Sequence, residues 1–165
     1  MGIDEKVDVA IVRSGSVGTS VARAIELSGG LDFIQPGQTV VIKPNVNSGD
    51  AYPGTTNPEV VQEVVRLVWE RDPARVIVAD RSWFLGGTLD LMQKTGIYEA
   101  ALNSRGEVLP LEDVPWEPVR PREAKHWPEP FRVTTLLKQA DHVINLPVVK
   151  THSLAAFTMS IKNAV

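Results

Sequence analysis

The chain has 165 residues, 43% of them hydrophobic, which is enough for one domain with a real core. Its 17 basic and 20 acidic side chains leave a net charge of −3, which argues against a nucleic-acid or anionic-membrane surface spread over the whole protein but allows a local basic pocket. Cysteine is absent, so these residues offer no disulfide framework, thiolate zinc site, cysteine nucleophile or cysteine-held iron–sulfur cluster.

The opening MGIDEKVD is acidic and lacks the regions of a signal peptide, and Lys6 stands where a myristoylation motif wants Ser or Thr. No run reaches the roughly 18 apolar residues that span a bilayer. A cytoplasmic chain without a membrane or nucleic-acid partner is expected. Alternation over Val7–Arg13 predicts a first strand. A glycine-containing turn, Gly15-Ser-Val-Gly18, then opens a helix carrying Val21, Ala24, Ile25 and Leu27 on one face and ended by Gly29-Gly30. The turn could seat a phosphate, but it lacks GxGxxG spacing, and a start capped by Ser14 or Ser16 accounts for it.

After a connector with a turn at Pro36-Gly37, the β-branched run Thr39–Lys43 predicts a buried strand that Pro44 stops. The turn-rich stretch Asn47–Asn57 is a loop. Asn57 then serves as an N-cap, with Pro58 in first position, for a helix bearing Val60, Val61, Val64, Val65 and Val68. Arg75–Ala79 is a further strand, ending at Asp80. A helix over Thr88–Thr95, with Gly96 past its end, leads to a short helix over Ile97–Arg105 and a short strand over Glu107–Leu111. Seven of the 12 prolines fall between Pro110 and Pro147, so Asp113–Pro130 reads as loop. The later part of Phe131–Ala140 is a helix, Asp141–Leu146 a strand, and Leu154–Val165 has no assignment. Alternation of this kind predicts a three-layer α/β fold, a mainly parallel sheet with helices on both faces, Rossmann-like but without a dinucleotide fingerprint.

Polar residues at the ends of these strands are candidate ligands, because open α/β sheets bind at the carboxyl ends of their strands. Lys43 and Asn45 follow one strand; the ammonium suits phosphate, carboxylate or an oxyanion, although a lysine here also reaches solvent by snorkelling. Thr55, Thr56 and Asn57 sit before a helix N-terminus, as anion ligands or as loop and cap residues. Asp80, beside Arg81 and Ser82, could meet a hydroxyl, a metal or a nearby lysine, or serve as a turn residue. Lys150 and His152 combine an electrophilic cation with an acid/base group, and Lys162 and Asn163 close an apolar segment. His126 lies beside Trp127, and His142 starts a strand at the opposite edge, so three histidines do not share a metal site. Trp69, Trp83, Trp116 and Trp127 show no period and suit packing.

The combination VVIKPNVN, PGTTNPEVVQEVV, VINLPVVKTH and SIKNAV, in this order and spacing from about Val7 to Val165, resembles the domain-of-unknown-function family 362. The resemblance implies an α/β domain with a shared pocket near Lys43, Pro44, Asn45, Thr56, Pro58, Lys150, His152, Lys162 and Asn163. It also implies, for many relatives, a ferredoxin-like segment with four-iron four-sulfur clusters, a property that does not transfer to residues without cysteine. Relatives continue past the KN motif, so residues 1–165 are read as one α/β domain, C-terminally incomplete relative to the family.

Three functions follow as expectations. In the first, Lys43, Lys150 and Lys162 hold a small anionic molecule, Asn45 and Thr56 orient it and His152 moves a proton; converging lysines repel unless an anion or carboxylate such as Asp80 balances them. In the second, the domain is a redox-associated module whose clusters lie in another segment or a redox partner. In the third, it is an interface subunit of a homo-oligomer anchored by tryptophans.

Overall fold

The computed structural model describes residues 8–83, 86–122, 125, 129–152 and 156–164. Four parallel strands form the central sheet: β1 (Thr39–Pro44), β2 (Arg75–Asp80), β3 (Glu107–Pro110) and β6 (His142–Leu146). Their spatial order is β3-β2-β1-β6. Val40, Val41 and Ile42 have no exposed surface, as a central strand covered on both faces requires.

One face of β1 and β2, made by Val40, Ile42, Val76 and Val78, packs under four helices: α1 (Val17–Leu27), α2 (Pro58–Trp69), α3 (Thr88–Lys94) and α4 (Ile97–Asn103). Helix α2 begins where its sequence says it should, since Asn57 accepts from the Glu59 N–H and Pro58 needs no partner for a missing donor. It buries Val61, Val64, Val65 and Val68 on one stripe. Ser16 caps α1 by accepting from the Thr19 N–H, so the Gly15–Gly18 turn is a capped helix start.

The other face, made by Val41, Ile77 and Ala79, packs on Leu111 and Leu136. Leu111 opens a short 3-10 helix (Leu111–Asp113), and Leu136 belongs to α5 (Thr135–Gln139). An antiparallel ribbon of β4 (Trp116–Val119) and β5 (Phe131–Thr134) completes this layer. A second small ribbon, β7 (Lys150–His152) with β8 (Ala156–Thr158), precedes α6 (Ser160–Ala164). The architecture is therefore three layers with helices on both faces of a parallel sheet, as expected. Among the described residues no helix is long and apolar enough to cross a membrane.

Several expectations are corrected. The strand expected over Val7–Arg13 does not form over its described residues; Val9 and Ile11 are 83% and 97% exposed, and alternation without a neighbouring strand leaves the backbone no ladder to join. The proline-rich stretch contains β4, with Pro118 inside it. A two-stranded ribbon tolerates proline because its outer edge needs no donor. The helix expected in the later part of Phe131–Ala140 does form, as Thr135–Gln139 behind β5, and Thr134 caps it through the Leu136 N–H. Lys150 to His152, read as following the end of a sheet strand, lies beyond β6 as a strand of its own ribbon.

Candidate functional site

The chain runs outward from β1 to β2 to β3, then returns to place β6 on the other side of β1. The order therefore reverses between β1 and β6, and in sheets of this kind the crevice at such a reversal, beyond the carboxyl ends of the strands, is where ligands sit. Lys43, Pro44 and Asn45 end β1 at this point, opposite Asn145 and Leu146 of β6.

Lys43 reaches sideways to β2. Its Nζ donates to Asp80 Oδ1 at 2.5 Å, and the Val46 N–H donates to Asp80 Oδ2 at 2.6 Å. Burial is the largest influence on the Asp80 carboxyl and lifts it above the ordinary carboxylate range, against the pull of Lys43 and of the Val46 and Arg81 N–H groups. Asp80 thus fixes the turn after β1 as well as the lysine.

Thr56 ties the loop to the sheet. Its hydroxyl accepts from the Asn45 N–H at 2.7 Å and donates to the Leu146 carbonyl at 2.7 Å, while its own N–H donates to the Asn45 carbonyl. Three asparagines then chain together. Asn45 Nδ2 donates to Asn163 Oδ1, Asn163 Nδ2 donates to Asn145 Oδ1 and the Pro44 carbonyl, and Asn145 Nδ2 donates to the Ser160 carbonyl. Helix α6 is held over the crevice by these amides. The Asn45 Oδ1 acceptor is left buried without a partner.

Beside this network lies a cavity of about 530 Å³. Lys43, Asn45, Asp80, Lys162 and Asn163 line it on the sheet side, and Arg81, Trp83, Trp116, Phe131 and Arg132 line it from the loop after β2 and the β4–β5 ribbon. The Arg81 guanidinium stands 5.2 Å over the Trp116 ring, and Lys162 Nζ 6.0 Å over Trp83. Arg132 donates to the Trp116 carbonyl at 2.7 Å. Just behind, Glu112 accepts from the Thr88 N–H and hydroxyl. Desolvation pushes the Glu112 carboxyl up, but these bonds, its own N–H and the charge of Arg81 outweigh it and hold it below the ordinary value.

The other residues singled out in the sequence lie elsewhere. Thr55 is fully buried and donates to the Asp50 carbonyl; Asn57 is spent on its cap. Lys150 is bonded to the Gly54 carbonyl and is not among the residues lining the cavity. Its ammonium is held below the usual lysine range, first by partial burial and then by the charge of Lys162, with Asp50 pulling the other way. His152 stands opposite Ala156 on the β7–β8 ribbon. His142 starts β6, where its Nε2 meets Gln38 Oε1 at 2.9 Å and its ring meets Phe33 edge-on. His126 and Trp127 lie outside the described residues. Among the described residues no group of three or more His, Asp or Glu side chains comes together as a metal site would require.

Sequence reasoning missed the roles of Trp83, Trp116 and Arg132 in the cavity. Arg132 gave no signal, because only a ribbon hidden by prolines brings it there. Arg81 was noticeable only as the neighbour of Asp80.

The family described as a domain of unknown function, DUF362, matches residues 40–165. The chain is also similar to the thylakoid-associated protein sll1697 of Synechocystis sp., with 32% identity over 167 residues covering 94% of this chain and 49% of that protein. It therefore spans about half the length of the curated relative it matches. No solved structure matches.

Proposed function

The chain belongs to the DUF362 family, and we propose that within it this domain binds a small anionic molecule, a phosphate or a carboxylate, in the cavity beyond the carboxyl ends of β1 and β2. The observation that carries this reading is the charge of the wall. Among the described lining residues, four cations, Lys43, Arg81, Arg132 and Lys162, face one carboxylate, Asp80, which is already spent on Lys43 and the Val46 N–H, while Glu112 behind them feels the charge of Arg81. Like charges gathered at a half-apolar wall raise one another's energy, and an anion relieves them. Arg81, Arg132 and Lys162 are the groups that would meet it, with Lys43 setting the field from beneath.

Binding is favoured over turnover, since Lys150 and His152, the acid/base candidates, do not line the cavity. Calorimetric titration of the chain with inorganic phosphate and with acetate tests the reading. Each charge-assisted hydrogen bond is worth about 1.5–3 kcal/mol, so Arg132→Ala and Lys162→Ala should each weaken binding roughly tenfold or more. Absence of heat with every anion tried would remove the proposal. For location we propose the cytoplasm, and the relative's thylakoid association names the competing placement; cell fractionation of a tagged chain decides between them.

A further inference from the structure

We infer that the occupant of this cavity is an aromatic anion, a carboxylate or phosphate carried on a flat ring system. The inference rests on the anion-binding reading and narrows it.

The first argument is size. A bare phosphate takes the space of a few waters, each of which fills about 30 Å³ of liquid. The cavity holds about 530 Å³, within the range of sites that enclose a whole organic molecule. The anionic group therefore occupies one corner, and a larger body must fill the rest.

The second argument is what lines the rest. The lining residues Trp83 and Phe131 are 55% and 37% exposed, and Trp116 adds a third, half-buried aromatic residue fixed by its Nε1–H to the Leu111 carbonyl at 2.8 Å. Three flat rings line the cavity, and a flat partner covers them with the least loss of freedom. A flexible alkyl chain gains burial but none of the ring–ring geometry.

The third argument is placement of charge. The cations are not ranged on a separate wall. Arg81 stands over Trp116, Lys162 stands over Trp83, and Arg132 is anchored to the Trp116 backbone. Arg81 and Lys162 thus each lie against a ring, and Arg132 is held beside the Trp116 backbone. A ligand that meets both must carry its negative charge directly on, or one bond away from, a planar system.

The test is calorimetry on the full chain with acetate, inorganic phosphate, cyclohexanecarboxylate, 2-naphthoate and neutral 2-naphthylmethanol. Ring stacking predicts that 2-naphthoate binds at least about tenfold tighter than acetate or cyclohexanecarboxylate. In Trp83→Leu, at a half-exposed position where folding is not at stake, the ratio of naphthoate to acetate affinity should fall toward one, and circular dichroism verifies the fold. If acetate or phosphate binds as tightly as 2-naphthoate, or cyclohexanecarboxylate matches it, the aromatic inference is overturned while the anion site stands. If 2-naphthylmethanol matches 2-naphthoate, or no anion binds, the anion reading falls with it.

Discussion

Lys43 Nζ lies 2.5 Å from Asp80 Oδ1, joining the ends of two neighbouring parallel strands by a charge pair whose side chains are only 12% and 3% exposed. Removing one partner of such a pair strands the other in a poorly solvated place. Because burial raises the Asp80 carboxyl, its contribution to stability is fully present below the unfolded value of about 3.9 and is lost as pH rises through the folded value. Without Lys43 that loss deepens. Lys43→Met should therefore cost about 3–5 kcal/mol near neutral pH and much less once acid protonates Asp80. Urea melts across that range check it; a penalty that grows on acidification contradicts the raised carboxyl.

Thr56 carries the second prediction. Its hydroxyl serves two backbone groups at once, the buried Asn45 N–H and the partly buried Leu146 carbonyl. Thr56→Val keeps the shape and strands both, at about 1–3 kcal/mol for each group. Thr56→Ser retains the hydroxyl and should lose less than about 1 kcal/mol, the transfer term of one methyl group. Equal losses in the two variants would mean that the methyl, not the hydroxyl, matters.

Much of this was legible beforehand and some of it could not be. The run Val40-Val41-Ile42 announced a strand buried on both faces, and Asn57-Pro58 announced a helix start, because each signal is local and each is satisfied locally. Lys43, Asn45 and Asp80 do come together at the carboxyl ends of β1 and β2, as parallel strands dictate, and α6 brings Lys162 and Asn163 to them. What failed was anything set by a distant partner. Val9 and Ile11 alternate without a neighbouring strand, whereas Trp116 and Arg132 meet only through a ribbon whose prolines argued for loop. The destination of Lys150, a carbonyl at Gly54, is likewise decided by a ribbon that no short-range pattern revealed.

Lys150 gives the third prediction. Partial burial, and then the ammonium of Lys162, hold its proton less tightly than usual. A lysine depressed in the fold favours stability at higher pH, since the folded state binds fewer protons through that window. Lys162→Gln should move the Lys150 pKa upward, seen by NMR titration of its side-chain nitrogen. An unchanged titration would leave burial as the sole cause.

Asn163 supplies the fourth. Its amide bridges Asn45, Asn145 and the Pro44 carbonyl, and it fastens a helix of only five residues. Asn163→Ala should free α6 while leaving the four-stranded sheet intact. Hydrogen exchange at residues 160–164 should accelerate, and exchange in β1 and β2 should stay slow. Faster exchange throughout the sheet would show instead that this amide supports the whole fold.

The order of the sheet also bears on how the chain is made. β1 is synthesised before its partners: Asp141, whose carboxylate accepts from the Thr39 N–H, lies 102 residues later, and Asn163 lies 119 residues beyond Pro44. At translation rates of about 5–20 residues per second, a strand of three fully apolar residues waits on the order of ten seconds on the ribosome for its last neighbour. Pairings this far apart close slowly. The apolar strand is therefore without its last neighbour for that time, and the crevice is not assembled until synthesis has passed α6.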